Sequence, residues 1–173
     1  MVKASTRSTP PRLKPFLQRI VELGAVDAKV VKASSVVTAD WVRMKCRYGC
    51  DGYGSSLCCP PHSPTPGETR KTLEDYTTAI LARFGPGGRV TRSMVTLERE
   101  AFLQGCQRAF AFGAGPCILC KSCPGDVCKH PEKARPSMEA CGSTCSPPCG
   151  PTGFPSRSCW RRALSRTTTG CCS

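Results

Sequence analysis

The chain has 173 residues, with 25 Lys and Arg against 12 Asp and Glu for a net charge of +13, and it carries 15 Cys beside 16 each of Gly and Pro. That length supports one modest hydrophobic core and excludes a multidomain enzyme. No apolar run approaches the roughly 20 residues of a membrane-spanning helix and the first residues lack a secretory leader, so a cytoplasmic protein with no membrane partner is expected.

Residues 1–11 are rich in Ser, Thr and Pro and read as a disordered arm. From Pro11 to Leu23 the residues Leu13, Phe16, Ile20, Val21 and Leu23 fall at mostly helical spacing, and Gly24 ends the helix. Ala25 to Val37 is rich in Val and reads as a strand, or two short ones, around Val30-Val31 and Val36-Val37. Asp40 to Lys45 leads into a first cysteine group. Thr65 to Arg83 places Leu73, Tyr76, Thr77, Ile80 and Leu81 on one face and predicts an amphipathic helix. Gly85 to Gly88 breaks the chain, after which Ser93 to Phe112 resumes helical spacing through Val95, Leu97, Phe102, Leu103, Cys106, Ala109 and Phe110. Gly113-Ala114-Gly115-Pro116 stops it before a second cysteine group, and beyond that group Ser137 is placed to cap a further helix start. The elements predict an α+β fold in which two or three helices cover a small sheet and two cysteine-rich loops meet at one edge. The domain spans 12–142 and a low-complexity tail spans 143–173.

The positive charge sits at the two ends: residues 1–50 hold 10 basic and 3 acidic side chains, residues 51–100 hold 6 of each, and residues 143–173 hold 4 basic and none acidic. Single-strand binders interleave Lys and Arg with stacking aromatics, and no such stripe is present, so nucleic acid is disfavoured as a partner.

In a reducing cytoplasm a cysteine-dense chain points to metal before disulfides. The first group is Cys46-x3-Cys50-x7-Cys58-Cys59-Pro60-Pro61-His62, with glycines inside it that let a short loop fold back. Adjacent cysteines bind one metal poorly, which favours Cys59, held by the Pro-Pro pair, over Cys58. The second group is Cys117-x2-Cys120-x2-Cys123-Pro124-x3-Cys128-x-His130-Pro131, with Cys141 further on. Its successive x2 spacings resemble the ferredoxin run that wraps a cubane, whereas a zinc site separates two Cys-x2-Cys knuckles by a dozen residues or more. Iron–sulfur therefore outranks zinc, with Cys128 or Cys141 open as the residue that completes the first group. Cys106, on an apolar helix face, reads as a buried small hydrophobe, and His62 and His130 read as loop hydrogen-bonders before ligands. Arg135 is placed to offset cluster charge.

These motifs in order, ending in Arg135-Pro136-Ser137-Met138-Glu139-Ala140, resemble a prokaryotic family of predicted metal-binding proteins, a domain of unknown function, over about residues 12–142. The resemblance implies metal binding through Cys46, Cys50, Cys59, Cys117, Cys120, Cys123 and Cys128. It implies no reaction.

The resemblance breaks after Gly142. The family looks as though it continues with Ile-Asp-Val-Phe-Ala-Thr-Val-Arg, then Gly-Phe-Pro, and closes with Asn-Tyr-Tyr-Gly and leucines, where this chain has Ser143-Thr144-Cys145-Ser146-Pro147-Pro148-Cys149-Gly150. Codons TCN, ACN, TGY, TCN, CCN, CCN, TGY and GGN, read one base early, permit that family stretch in full. Thr167 to Cys172 read the same way permit Asn-Tyr-Tyr-Gly-Leu-Leu. The tail is therefore expected to be a frameshift product, its cysteines Cys145, Cys149, Cys159, Cys171 and Cys172 accidental and the native C-terminal strands lost.

The expected function is a cytosolic metal-binding protein with one or two 4Fe-4S clusters, working in electron transfer with an unidentified redox protein partner or as an accessory to a redox enzyme. The alternatives are a structural zinc module for protein interaction and an enzyme with an open-site cluster. No Ser-His-Asp order, His-Glu-x2-His or phosphate-cradling glycine loop is present.

Overall fold

Phe16 and Ile20, four residues apart, define the buried stripe of the first helix, α1 (Lys14–Glu22), in the computed structural model, which describes residues 11–144. The expected arm before Pro11 and the tail after Thr144 lie outside the described residues. A short 3-10 turn, Pro11–Leu13, precedes α1, and Pro15 sits in its first turn, where a missing N–H costs nothing. Gly24, at φ +103°, ends it as expected.

The next strand, β1 (Ala25–Lys32), pairs antiparallel with β3 (Thr78–Phe84), Val30 opposite Ile80. A second small antiparallel sheet joins β2 (Val37–Thr38) to β4 (Ser143–Thr144). The remaining helices are α2 (Asp40–Gly49), α3 (Pro66–Glu74) and α4 (Val90–Leu103). The fold is thus α+β, with four α-helices among the described residues.

Phe16, Ile20, Ala25 and Leu97 form the core, with Ile80, Ala82, Phe84 and Met94 packed on it. Arg19 clamps α1 to α4 through Glu100, its Nε and Nη2 donating at 2.8 and 2.9 Å. Cys106 packs against this core, in keeping with its reading as a small hydrophobe.

Three expectations are corrected. The single helix over Thr65–Arg83 is two elements: α3 stops at Glu74 and the chain turns into β3. The spacing of Leu73, Tyr76, Thr77, Ile80 and Leu81 fits a helix, but the run Thr77-Thr78-Ala79-Ile80-Leu81 finds a β-partner in β1, and pairing overrides periodicity. The helix over Ser93–Phe112 begins earlier, at Val90, and ends at Leu103, where Gly105 takes φ +91°. Ser137 caps a single turn rather than a helix: its Oγ accepts from Ala140 N at 3.1 Å, and Gly142, at φ +72°, closes the turn.

That turn is a hub. Ser63 Oγ donates to Ala140 O at 2.7 Å, Thr69 Oγ1 donates to Cys141 O at 2.8 Å, and Gly113 forms a parallel bridge with Ser137. A Cβ on Gly142 would stand 2.3 Å from Pro66 Cγ, so only glycine lets α3 approach so closely.

Candidate metal centre

Helix α2 carries Cys46 in its last turn, and Cys50 caps its C-terminus. The helix buries only Val42, and its apolar stripe of Trp41, Met44 and Tyr48 is exposed. The loop that follows is tightened by its own backbone. Tyr53 N donates to Cys50 O at 3.1 Å, Gly54 N to Pro60 O at 2.8 Å, Cys59 N to Ser56 O at 2.9 Å, and Ser63 N to Cys59 O at 3.1 Å. Cys58, Cys59 and Pro60 are buried as a result, and the Pro60–Pro61 peptide is cis.

The second loop is anchored at both ends. Gly113 N donates to Pro136 O at 2.8 Å, and Ala134 N donates to His130 O at 2.8 Å. Within it the backbone N–H of His130 donates to Cys128 Sγ at 3.4 Å, an amide-to-sulfur bond of the kind that steadies a ligating thiolate. Gly115 and Gly125 take φ +72° and +88°, which lets the loop reverse around its cysteines. The loops meet at Gly52, where a Cβ would lie 3.4 Å from Pro116 Cβ and 3.5 Å from Cys50 Sγ.

Burial raises the Cys46 thiol above its ordinary value, and the neighbouring Cys50, Glu139 and Cys59 raise it further while Arg43 opposes them. Cys46 Sγ also lies 3.9 Å from Glu139 O. The Cys58 thiol is likewise pushed up, to about 12, chiefly by burial, with Cys117, Cys128 and Cys59 as its neighbours. Cys50 and Cys59 thus neighbour Cys46, while Cys117, Cys128 and the same Cys59 neighbour Cys58, with half-buried Cys120 and Cys123 on the intervening loop. Among the described residues no three His, Cys, Asp or Glu side chains are closed around a common point as ion ligands.

Two guanidinium groups lie near these thiols. Arg43 reaches Cys46, and its Nη2 donates to Pro61 O and Ser63 O at 3.4 Å. Arg135 is held protonated chiefly by its hydrogen bonds to Glu98, and the Cys58 thiol adds to that effect.

Cys141 is fully buried, its thiol pushed up to about 12 by burial, and the groups that act on it are Thr69, Arg43 and Glu139, with no cysteine among them. His62 is exposed. Of the two residues open as a completion for the first group, Cys128 sits with Cys58, and Cys141 makes no contact of this kind with another sulfur.

The sequence reading set Cys58 aside and did not single out Glu98, Arg43 or Glu139. A signal for Cys58 existed: neighbouring side chains leave the backbone in different directions, so a cysteine that does not face Cys46 is free to face another loop.

No curated protein and no solved structure matches the chain. A family model does match, over residues 29–169, which takes in both cysteine loops and the elements that hold them. The chain therefore belongs to the family described as predicted metal-binding protein (DUF2284).

Proposed function

We propose that this metal-binding protein is a cytosolic iron–sulfur protein holding one or two 4Fe-4S clusters, and that it passes electrons to a protein partner or serves a redox enzyme as an accessory. The observation that carries the reading is the thiol-only donor run Cys117-x2-Cys120-x2-Cys123 with Cys128, whose sulfur already accepts an amide hydrogen bond from His130 N. Ligation is proposed for Cys46, Cys50, Cys59, Cys117, Cys120, Cys123 and Cys128.

The donor set fits such a group in its chemistry. Soft thiolates select clusters or zinc over hard cations, and the proposed donors are all cysteines. A bound cluster supplies a one-electron couple. The chain's own residues bind it through thiolates, keep water from Cys58 and Cys59 by burial, and set Arg43 and Arg135 against the negative charge that thiolates bring.

A partner surface lies on the same loop. Ile118 is 86% exposed and Val127 is 74% exposed, with Lys121 and Lys129 beside them. Exposed apolar side chains rimmed by charge, next to the donors, suit a transient protein contact.

The test is anaerobic purification followed by counts of iron, acid-labile sulfide and zinc per chain. Brown protein with about four iron and four sulfide, or twice that, is the expected result. Colourless protein with zinc and no sulfide overturns the iron–sulfur reading in favour of a structural zinc module.

A further inference from the structure

We propose that the outward face of helix α2 is a docking surface for an acidic protein partner, with Trp41, Met44 and Tyr48 as its apolar anchors and Lys45 and Arg47 as the cations that receive the partner's carboxylates. The inference does not depend on which metal the chain holds.

The helix has two unlike sides. Its inner side is fastened: Val42 is 4% exposed, Arg43 Nη2 donates to Pro61 O and Ser63 O at 3.4 Å, and Cys46 Sγ lies 3.9 Å from Glu139 O. Trp41, Met44, Lys45 and Tyr48 fall at i, i+3, i+4 and i+7, which gathers them on the opposite side. There Trp41 is 47%, Met44 52% and Tyr48 74% exposed. One exposed apolar residue is ordinary, but a stripe of three on a helix held from behind is a surface for something else to cover.

The composition of the stripe fits a protein, since Trp, Tyr, Met and Arg are enriched where protein interfaces carry their energy. Its charge fits an acidic one: α2 carries Arg43, Lys45 and Arg47 against Asp40 alone, in a chain of net charge +13. The cations are already seated on the rings, Lys45 Nζ 4.9 Å from the Trp41 centroid and Arg47 Cζ 5.6 Å from that of Tyr48. A carboxylate that meets either cation therefore arrives over an aromatic plane, where ionic and apolar contact are made together. Single-stranded nucleic acid fits less well. Two rings seven residues apart stand about 10 Å from each other along the axis, too far to stack successive bases, and each has a cation over one face.

Tyr48 lies two residues before Cys50, so a partner seated on this face stands beside the first cysteine group.

The experiment follows the fluorescence anisotropy of a fluorescein-labelled amphipathic helical peptide, Leu on one face and Glu flanking it, titrated with the metal-loaded full chain. The peptide should bind, and binding should weaken several-fold as salt rises from about 50 to about 300 mM. Lys45→Glu with Arg47→Glu, and Trp41→Ala with Tyr48→Ala, should each weaken it about tenfold or more. Lys32→Glu with Lys71→Glu, an equal charge change at two other exposed lysines, should leave it within about twofold of the parent. Circular dichroism and metal per chain, read on the same samples, test folding and the metal reading separately. If the Trp41→Ala pair does not fold, Tyr48→Ala alone, at the most exposed of the three anchors, should still weaken binding.

No binding by the parent chain would overturn the proposal, as would face variants that bind like the parent or a Lys32 and Lys71 control that loses as much as they do. Oligothymidylate or anionic vesicles that bind this face more tightly than the peptide would overturn it in favour of nucleic acid or a membrane surface.

Discussion

Arg135 grips Glu98 through two bonds, Nε to Oε2 at 2.9 Å and Nη2 to Oε1 at 2.5 Å, with both side chains 14% exposed. Glu98 Oε2 also accepts from Ala111 N at 2.7 Å, so one carboxylate ties α4 to the segments on either side of the second cysteine loop. Removing it leaves a guanidinium and an amide without their acceptor in a nearly dry place. Glu98→Ala should cost about 3 kcal/mol in denaturant unfolding, and Glu98→Gln, which keeps an acceptor for Ala111, should cost less. Equal stability of Glu98→Ala and the parent chain would show the clamp to be dispensable.

Gly142 offers a sharper steric test. An added Cβ meets Pro66 at 2.3 Å, and the residue sits at φ +72°. Gly142→Ala should destabilise by at least about 2 kcal/mol, strain and clash together. Gly54 takes φ +70° with open space around it, so Gly54→Ala should cost about 1 kcal/mol from conformation alone. Thermal unfolding of the pair measures the difference, which is the clash.

The acid limb of stability has named contributors. The Glu68 carboxylate is held below its ordinary range by the Thr65 N–H and then the Thr65 hydroxyl, and Glu100 is held down by its hydrogen bonds from Arg19. A carboxylate with a depressed folded value stabilises above its unfolded value of about 4.3, and that contribution is lost as pH falls through the folded one. Stability should be flat near neutrality and fall below about pH 4.5. Glu68→Gln and Glu100→Gln should each flatten the decline, and a decline of unchanged slope in both would remove these two groups as its cause.

Reactivity of the metal-free thiols should follow burial. Cys50 is exposed, whereas Cys141 is fully buried with its thiol pushed up to about 12. A disulfide reagent at pH 8 should modify Cys50 early and leave Cys141 until unfolding, and Cys141→Ala should leave metal content unchanged. Early labelling of Cys141, read by peptide mass spectrometry, would contradict this.

The tail expectation touches the described residues at two positions. Ser143 is 1% exposed, and a TCN codon there, read one base early, would encode Phe, Leu, Ile or Val, with Thr144 beside it shifting to Tyr, His, Asn or Asp. The Ser143 hydroxyl donates to Val37 O at 3.3 Å, and an apolar side chain would fill the same buried site. Close by, β3, Leu73, Met94, Phe110 and Ser143 line a cleft of about 970 Å3, and β3 has only β1 as a partner among the described residues. We propose that one base inserted at the Gly142 codon restores the native segment. The restored chain should be more soluble and melt several degrees higher, because apolar surface and a strand edge are then covered. A restored chain no better than the present one would count against the frameshift.

Much of the fold was readable because Phe16 and Ile20 repeat at four residues and Gly24 interrupts them, a local signal with one interpretation. Ile80 was not readable: it satisfies a helical register with Leu73, Tyr76 and Thr77, and only its place opposite Val30 makes it a strand residue. Helix α2 had a legible signal in Trp41, Met44 and Tyr48 at helical spacing, but that stripe is exposed and the segment buries one side chain, Val42. At the site, cysteine spacing suggested donors within each loop, but the approach of the two loops, where Gly52 meets Pro116, spans 64 positions and belongs to tertiary packing.

The turn from Ser137 to Gly142 fastens both cysteine loops, the first through Ser63, Thr69 and Cys46 and the second through Gly113. During synthesis it is made after every other cysteine of the two loops. The nascent chain therefore emerges with its thiols ungathered, and their assembly waits for a clasp that leaves the ribosome after both loops.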